Sequence, residues 1–404
     1  MRASIYPLLD ADTVAAMVLE RAPLLEAEDV ALVECPGRVL AADLRASHRL
    51  PPWASSAVDG YAIRSADGGG RLRVAGESAA GRPLAGVLEP GAAARILTGG
   101  VLPRGADSVV MVEDTVQQGE TVVVPDGYPS GRNFHPPGAD LEAGETVLTA
   151  GTVLGAAELG LLAALGRPRA SVRRRPRVAL MSTGDELVEV GEPARPGQIP
   201  DSNRIALLAA LTEAGAEVRM LGIAPDRRDE LREMVEGALP ELDVLVTSGG
   251  VSVGTHDHVK PLLERLGEVH CGRVKIRPGK PFTFATLPDG KLAFGLPGFP
   301  VSSLVTFEVF VRPALRRMQG VARVARPTLP VRLGYAAKSA GDRTEYQRVR
   351  LHREGAGLVA TSMGSQSSSR LLSLAGAQAL VRIPPGQEGI AAGAAVEAII
   401  LSLP

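Results

Sequence analysis

The apolar positions between Arg177 and Ile276 alternate between two periods. Val178-Ala-Leu-Met-Ser-Thr183 is a continuous, partly β-branched run, and Ile205, Leu208 and Leu211 recur at helical spacing. Glu217 to Ile223 is again strand-like and Asp229 to Ala238 again helical. The run Asp243-Val-Leu-Val-Thr-Ser-Gly-Gly-Val-Ser-Val-Gly-Thr-His-Asp-His258 organises the rest: Val244, Leu245 and Val246 are apolar without alternation, as in a strand buried on both faces. Strand and helix in this rhythm predict a parallel sheet with right-handed crossovers. Ser202 is the expected cap of the first of these helices and Gly215 its stop. Val269 to Ile276 reads as one further strand, Asp289-Gly290 as a hairpin turn, and Val301 to Arg317 as a closing helix bent or ended near Pro313.

Elsewhere the pattern differs. A helix starts at Asp12, its expected N-cap, with Val14, Met17, Val18, Leu24 and Leu25 on one face. From Ala31 to Thr149 short β-branched runs such as Ser108-Val-Val-Met-Val112 and Thr121-Val-Val-Val-Pro125 alternate with Gly and Pro, which predicts a β-rich domain. Ala156 to Leu165 is a helix, and Arg173-Arg-Arg-Pro-Arg177 after it reads as a solvated linker. Beyond Arg326 helical periodicity disappears, and Leu329 to Leu333, Arg348 to His352 and Ala379 to Ile383 predict a small barrel or sandwich. The fold class is therefore multidomain α/β plus β.

Composition narrows the function. The 404 residues carry a net charge of -1, which gives no general attraction to nucleic acid or membrane. Aromatics make up only 3%, so cores are aliphatic and base-stacking platforms scarce. Cys35 and Cys271 form no Cys-x-x-Cys unit, which argues against a disulfide framework or a cysteine zinc site. With no long apolar segment, a reducing cytoplasm is the expectation.

Candidate chemistry gathers after the predicted strands. Asp185 and Glu186 follow the first, Asp226 the second, and the loop with Gly249, Gly250, Gly254 and Asp257 the third. Parallel topology brings such strand ends to one edge, where carboxylates suit Mg²⁺ bridged to a phosphate. Each acid alone also reads as a helix N-cap. The glycine loop lacks both phosphate-binding fingerprints, Gly-Lys-Ser/Thr and Gly-x-Gly-x-x-Gly, and offers backbone N–H groups to an anion instead. Lys275, Arg277 and Lys280 form either an ion-pair network with these acids or a phosphate-binding strip. Arg343, Arg348 and Ser367-Ser-Ser-Arg370 add anion-binding potential, and Thr98 places a hydroxyl at another strand end. His256 and His258 lack zinc-ligand spacing, and no Ser/His/Asp or Cys/His set assembles.

Ser55-Ser-Ala-Val-Asp-Gly-Tyr-Ala62, Thr98-Gly99, Pro103-Arg-Gly-Ala-Asp-Ser-Val-Val110, Ser182-Thr-Gly-Asp-Glu-Leu187, Asp201-Ser-Asn203, Ser248-Gly-Gly-Val-Ser-Val-Gly254, Pro278-Gly-Lys-Pro281 and Gly295-Leu-Pro-Gly298 together resemble the motif series of the MoeA and gephyrin E-domain family. The match runs in order from Pro7 to about Pro385. The resemblance implies a discontinuous helical linker domain (1–30 and 150–176), a β-rich second domain (31–149), a MogA-like α/β domain (177–324) and a C-terminal β-barrel (325–404). It implies a homodimer whose shared site inserts molybdenum from molybdate into adenylylated molybdopterin, releasing AMP with Mg²⁺. Molybdopterin-pathway proteins and apo-molybdoenzymes are the implied partners.

The catalytic set so implied is Asp59, Thr98, Glu186, Asp226 and Asp257, the last three also holding the metal. Substrate or anion contacts fall to Asp140, Asp185, Ser248, Gly249, Gly250, Ser252, Lys275, Lys280, Pro297, Arg348 and Ser368. The sequence departs from the family at Asn133-Phe-His-Pro-Pro-Gly-Ala-Asp140, which keeps only the last acid of a Gly-Glu-Asp triplet, at Phe299, where an amide is usual, and at Ala377-Gln-Ala-Leu380. Rival readings are a MogA-like adenylyltransferase, a gephyrin-type scaffold and a metal-dependent nucleotide pyrophosphatase.

Overall fold

The central sheet has six strands in the order Glu217–Ala224, Arg177–Thr183, Val244–Ser248, Leu292–Leu296, Thr283–Thr286 and Glu268–Cys271. The computed structural model describes residues 6–251, 258–386 and 388–403. The first four strands are mutually parallel, and Val244–Ser248, buried at every position, lies between two parallel neighbours. A strand covered on both faces and bonded on both edges has no polar side to satisfy, so its sequence needs no alternation. Ser202–Glu213 and the segment from Pro300 to Met318 cover one face, sharing a core with Leu180, Val246, Phe294 and Phe310. Arg228–Ala238 and Val259–Leu266 cover the other.

Several details differ from the sequence expectations. The first helix is Ala11–Arg21, with Asp10 at the N-cap and Asp12 inside the first turn, where its carboxylate meets Arg382 at 2.6 Å. Asp201, not Ser202, caps the next helix by accepting the Arg204 N–H at 3.1 Å. The closing helix is interrupted by a π-type turn over Phe307–Val311. That wider turn ends just before Pro313, which has no N–H for the carbonyl four residues back.

Val269 to Ile276 is not one strand. Glu268–Cys271 pairs antiparallel with Thr283–Thr286 in the α/β sheet. Val274–Arg277 instead lies parallel to Leu9–Asp10 and to Thr344–Glu354 of the C-terminal sheet. The chain changes sheets at Gly272, where a Cβ would stand 2.7 Å from the Tyr6 ring.

Nor is Arg173–Arg177 a solvated linker. Arg173 ends a strand paired with Ala27–Ala31. Arg174 grips Asp243 at 2.6 and 3.1 Å, and the Arg177 N–H reaches the same carboxylate at 2.8 Å. The run pins the start of Val244–Ser248.

The C-terminal strands Thr344–Glu354, Gly357–Ser362, Thr328–Leu333, Ala395–Ile400 and Ala379–Ile383 close into a five-stranded barrel, because the last pairs back to the first. The β-rich region holds a six-stranded sheet in which Gly60–Ile63 runs antiparallel to Ala92–Ile96 with Gly60 opposite Ile96. Asp59 and Thr98 are thereby brought side by side. Among the described residues no helix is long and apolar enough to cross a membrane.

Candidate active site

The four parallel strands end level with one another, since Thr183 is in register with Ala224, Ser182 with Ser248, and Ser248 with Leu296. The residues following them therefore form one edge: Asp185 and Glu186, then Asp226, Gly249-Gly250, and Pro297-Gly298. Asp185 and Asp226 meet directly, the Asp226 N–H donating to Asp185 Oδ1 at 3.2 Å. Glu186 is exposed and Asp226 half-buried. Asp257 and Ser252 lie outside the described residues, as do Gly254 and His256. Among the described residues no three His, Cys, Asp or Glu side chains gather closely enough for a metal. The available donors are nonetheless carboxylate oxygens, the ligand type of a hard cation that keeps several waters.

The glycine turn works differently from the expectation. Gly249 gives its N–H to the Leu296 carbonyl at 3.0 Å, so that donor is not offered to an anion. Both glycines have positive φ, +89° and +68°, and a Cβ at either would crowd Thr183, at 2.6 Å from its carbonyl oxygen or 2.8 Å from Oγ1. They let the turn close over the neighbouring strand end. Ser248, 2% exposed, accepts the Asn203 amide at 2.8 Å, and the same amide reaches the Gly298 carbonyl at 2.7 Å. Asn203 thus ties two strand-end loops together, a role its place in the Asp201-Ser-Asn203 motif hinted at without showing its partners. Pro297 is buried in the second of these loops. The hydroxyls of Ser182, Thr183 and Thr247 at this edge are buried without a hydrogen-bond partner among the described residues.

The cations collect beside this edge. A cavity of about 310 Å³ is lined by Arg277, Lys280 and Arg343 with Ser302, Gln366, Ser367 and Ser368. Its floor is the Pro278-Gly279-Lys280 turn, where Gly279 has φ +117° and a Cβ would lie 2.4 Å from Thr306 Cγ2. Only glycine fits there without strain. Lys275 is not in the lining; it pairs with Asp10 at 3.3 Å. Arg348 is not in the lining either. It is 1% exposed and spends its guanidinium on Ser373 Oγ and the Ser367 carbonyl, both at 3.1 Å. Burial, opposed by Glu345 and Tyr335, pulls its pKa down to about 10. It holds the serine loop from behind.

The loop from Pro297 to Ser302 joins the two halves of the arrangement. Gly298 is bound by Asn203 on the sheet-edge side, the Val301 N–H donates to the Ser368 carbonyl at 3.1 Å, and Ser302 lines the cavity. In the β-rich region, Asp59 Oδ1 accepts both the N–H and the hydroxyl of Thr98, at 2.7 and 2.8 Å. These bonds, the backbone one foremost, hold the exposed Asp59 carboxyl below the usual carboxylate range. Asp140 is exposed on a neighbouring loop whose N–H meets the Leu50 carbonyl at 3.0 Å. Among the described residues no hydrogen bond or ion pair links Asp59, Thr98 or Asp140 to Asp185, Glu186 or Asp226 within one chain.

Three family models match successive parts of the chain. They are the MoeA N-terminal region (domain I and II) over residues 9–166, a probable molybdopterin binding domain over 179–317, and the MoeA C-terminal region (domain IV) over 330–401. A molybdopterin molybdenumtransferase of Nostoc sp. is 40% identical over 391 residues, spanning 94% of this chain and 89% of that protein. The chain belongs to the MoeA family. A Mycobacterium tuberculosis molybdopterin molybdenumtransferase 1 is 36% identical, covering 92% of this chain and 94% of that one. Gephyrin of Dictyostelium discoideum is 34% identical over 99% of this chain, which spans 63% of its length. Two solved structures of MoeA from Pyrococcus horikoshii superpose with a TM-score of 0.83 at 32% and 28% identity, covering 98% of this chain. The MoeA architecture seen here includes the MogA-like sheet and the closed C-terminal barrel.

Proposed function

We propose that this chain is a molybdopterin molybdenumtransferase of molybdenum cofactor biosynthesis, inserting molybdenum from molybdate into adenylylated molybdopterin with release of AMP. The observation that carries the chemistry is the cavity in which Arg277, Lys280 and Arg343 surround a serine-rich loop. A tetrahedral dianion such as molybdate fits three cations and several hydroxyls, and guanidinium groups bind oxyanions with paired hydrogen bonds. The match along 94% of the chain to a curated molybdenumtransferase favours this reading over an adenylyltransferase confined to the α/β domain.

Each group then has a task. The cationic cavity concentrates and orients the oxyanion, while the buried Arg348 keeps Ser367 in place. Glu186 and Asp226, together with Asp257, are our choice of residues to hold Mg²⁺, with Asp185 orienting the Asp226 backbone. When bound, the ion neutralises charge on the phosphoanhydride. Little covalent work falls to the protein, which fits the absence of an activated nucleophile among the groups assigned to the site. Among the described residues no bond joins Asp59 or Thr98 to this edge, and we place them in the site of a homodimeric partner, with Asp140 beside them. The two cysteines, both buried and unpaired, suit a reducing cytoplasm.

The test supplies purified protein with adenylylated molybdopterin, Mg²⁺ and molybdate, and follows AMP release together with reactivation of a cofactor-free molybdoenzyme. Molybdate-dependent release with reactivation is expected, and Glu186→Ala is expected to abolish both. AMP release that ignores molybdate contradicts the assignment.

A further inference from the structure

Phe299 is left unused by the chemistry above, and its position is costly on two counts. It occupies the N-cap of the Pro300–Thr306 helix, at φ -73° and ψ 131°, and makes no side-chain cap. That position favours Ser, Thr, Asp or Asn, whose oxygen satisfies a first-turn N–H; a phenyl ring cannot. Burial does not compensate. Phe299 is 59% exposed, whereas Phe282, Phe284, Phe294, Phe307 and Phe310 are at most 1% exposed. A residue that breaks local preference without a packing gain is the pattern expected at a functional site.

Its neighbours fix where the residue stands. Gly298 is bound by Asn203 and sits against the glycine turn, where a Cβ would be 3.8 Å from Gly249 Cα. Val301 is bonded to Ser368, and Ser302 lines the cationic cavity. Phe299 therefore stands between the sheet-edge turn and the oxyanion cavity. We propose that the exposed face of Phe299 stacks on a planar nitrogen heterocycle of the substrate while an oxyanion occupies the neighbouring cavity. Aromatic stacking accepts any such ring, so adenine and pterin share the recognised chemistry. The inference rests on the proposed function, whose substrate carries both rings.

Titration calorimetry with AMP, with a pterin bearing a side-chain phosphate, and with inorganic molybdate tests it. Phe299→Ala should weaken AMP or the pterin phosphate by about 10-fold, the scale of one lost stacking contact, and leave molybdate unchanged. Phe299→Trp should retain the ring ligand. Phe299→Asn should lose it to the same extent while raising the melting temperature by restoring the cap, a pair of opposite effects that a merely structural role does not produce. The arm that responds identifies the ring. Unchanged binding of both ring ligands by Phe299→Ala overturns the proposal, as does equal weakening of molybdate or failure of the wild type to bind either ring. Dissociation of a dimer by the same substitution also overturns it, assigning the phenyl to a subunit contact. The functional reading fails separately, if the wild type releases no AMP on addition of molybdate.

Discussion

Replacing Asp243 by Asn should loosen the strand that ends at the candidate active-site edge. The carboxylate sits at the start of Val244–Ser248 with its side chain only 13% exposed. It takes two bonds from Arg174, at 2.6 and 3.1 Å, and the Arg177 N–H at 2.8 Å. The Arg177 guanidinium, 3.3 Å away but 46% exposed, adds little once solvent screening is counted. Asn keeps one acceptor and loses the charge, so the main loss is the charge-assisted grip of Arg174, which is itself 23% exposed. Hydrogen bonds to charged groups contribute about 1.5–3 kcal/mol, which puts the expected loss at about 2–3 kcal/mol. For a unit the size of the α/β domain that is on the order of 6–10 °C in melting temperature.

The pH dependence of the same comparison checks the cause. Burial raises the Asp243 pKa, but the bonds from Arg174 and Arg177 outweigh it and leave the carboxyl below its usual range. A lowered folded pKa means stability that is fully present above the unfolded value of about 4 and is lost as pH falls through the folded one. Differential scanning calorimetry of both proteins should show a constant gap from pH 5 to 8 that closes progressively below about pH 4. A gap under 2 °C at pH 7, or one that persists undiminished in acid, refutes the reasoning.

Asn203→Ala removes the bonds to Ser248 and Gly298, so about 1–2 kcal/mol of stability should go, and molybdate-dependent AMP release should fall further than stability does because two loops at the site lose their tie. Gly279→Ala forces a side chain onto φ +117° and against Thr306; chemical denaturation should show a loss above about 1 kcal/mol, and calorimetry should show molybdate binding lost with it.

The parts legible in the sequence were those where one residue's neighbours along the chain decide its state. Val244 to Val246 had to be a strand covered on both faces, and the acids had to follow strand ends, because chain order alone puts them there. What stayed hidden depended on partners far away in sequence. Arg174 looked like part of a solvated run because its partner is Asp243, beyond the strands Arg177–Thr183 and Glu217–Ala224 and the helices Ser202–Glu213 and Arg228–Ala238. Arg348 looked like an anion ligand, yet it lies in a stretch of Thr344–Glu354 buried on both faces, where alternation cannot say which way a side chain points. Asp201 and Ser202 are both good caps one residue apart, and only the bond to the Arg204 N–H separates them.

The hidden break at Gly272 matters most for function. An apolar run has the same period whichever sheet it joins, so Val269 to Ile276 reads as one strand although its two ends belong to different sheets. After the break, Val274–Arg277 pairs with the barrel strand, Arg277 in register with Glu345, while the turn that follows packs on Thr306 of the α/β domain's helix. The cavity is therefore built from both: Arg277 and Lys280 come from the crossing segment, Ser302 from the helix, and Arg343 and the serine loop from the C-terminal region. An isolated α/β domain has the acids and the glycine turn but only part of the oxyanion cavity. On this geometry the proposed oxyanion site is complete only when the C-terminal region stands beside the α/β domain.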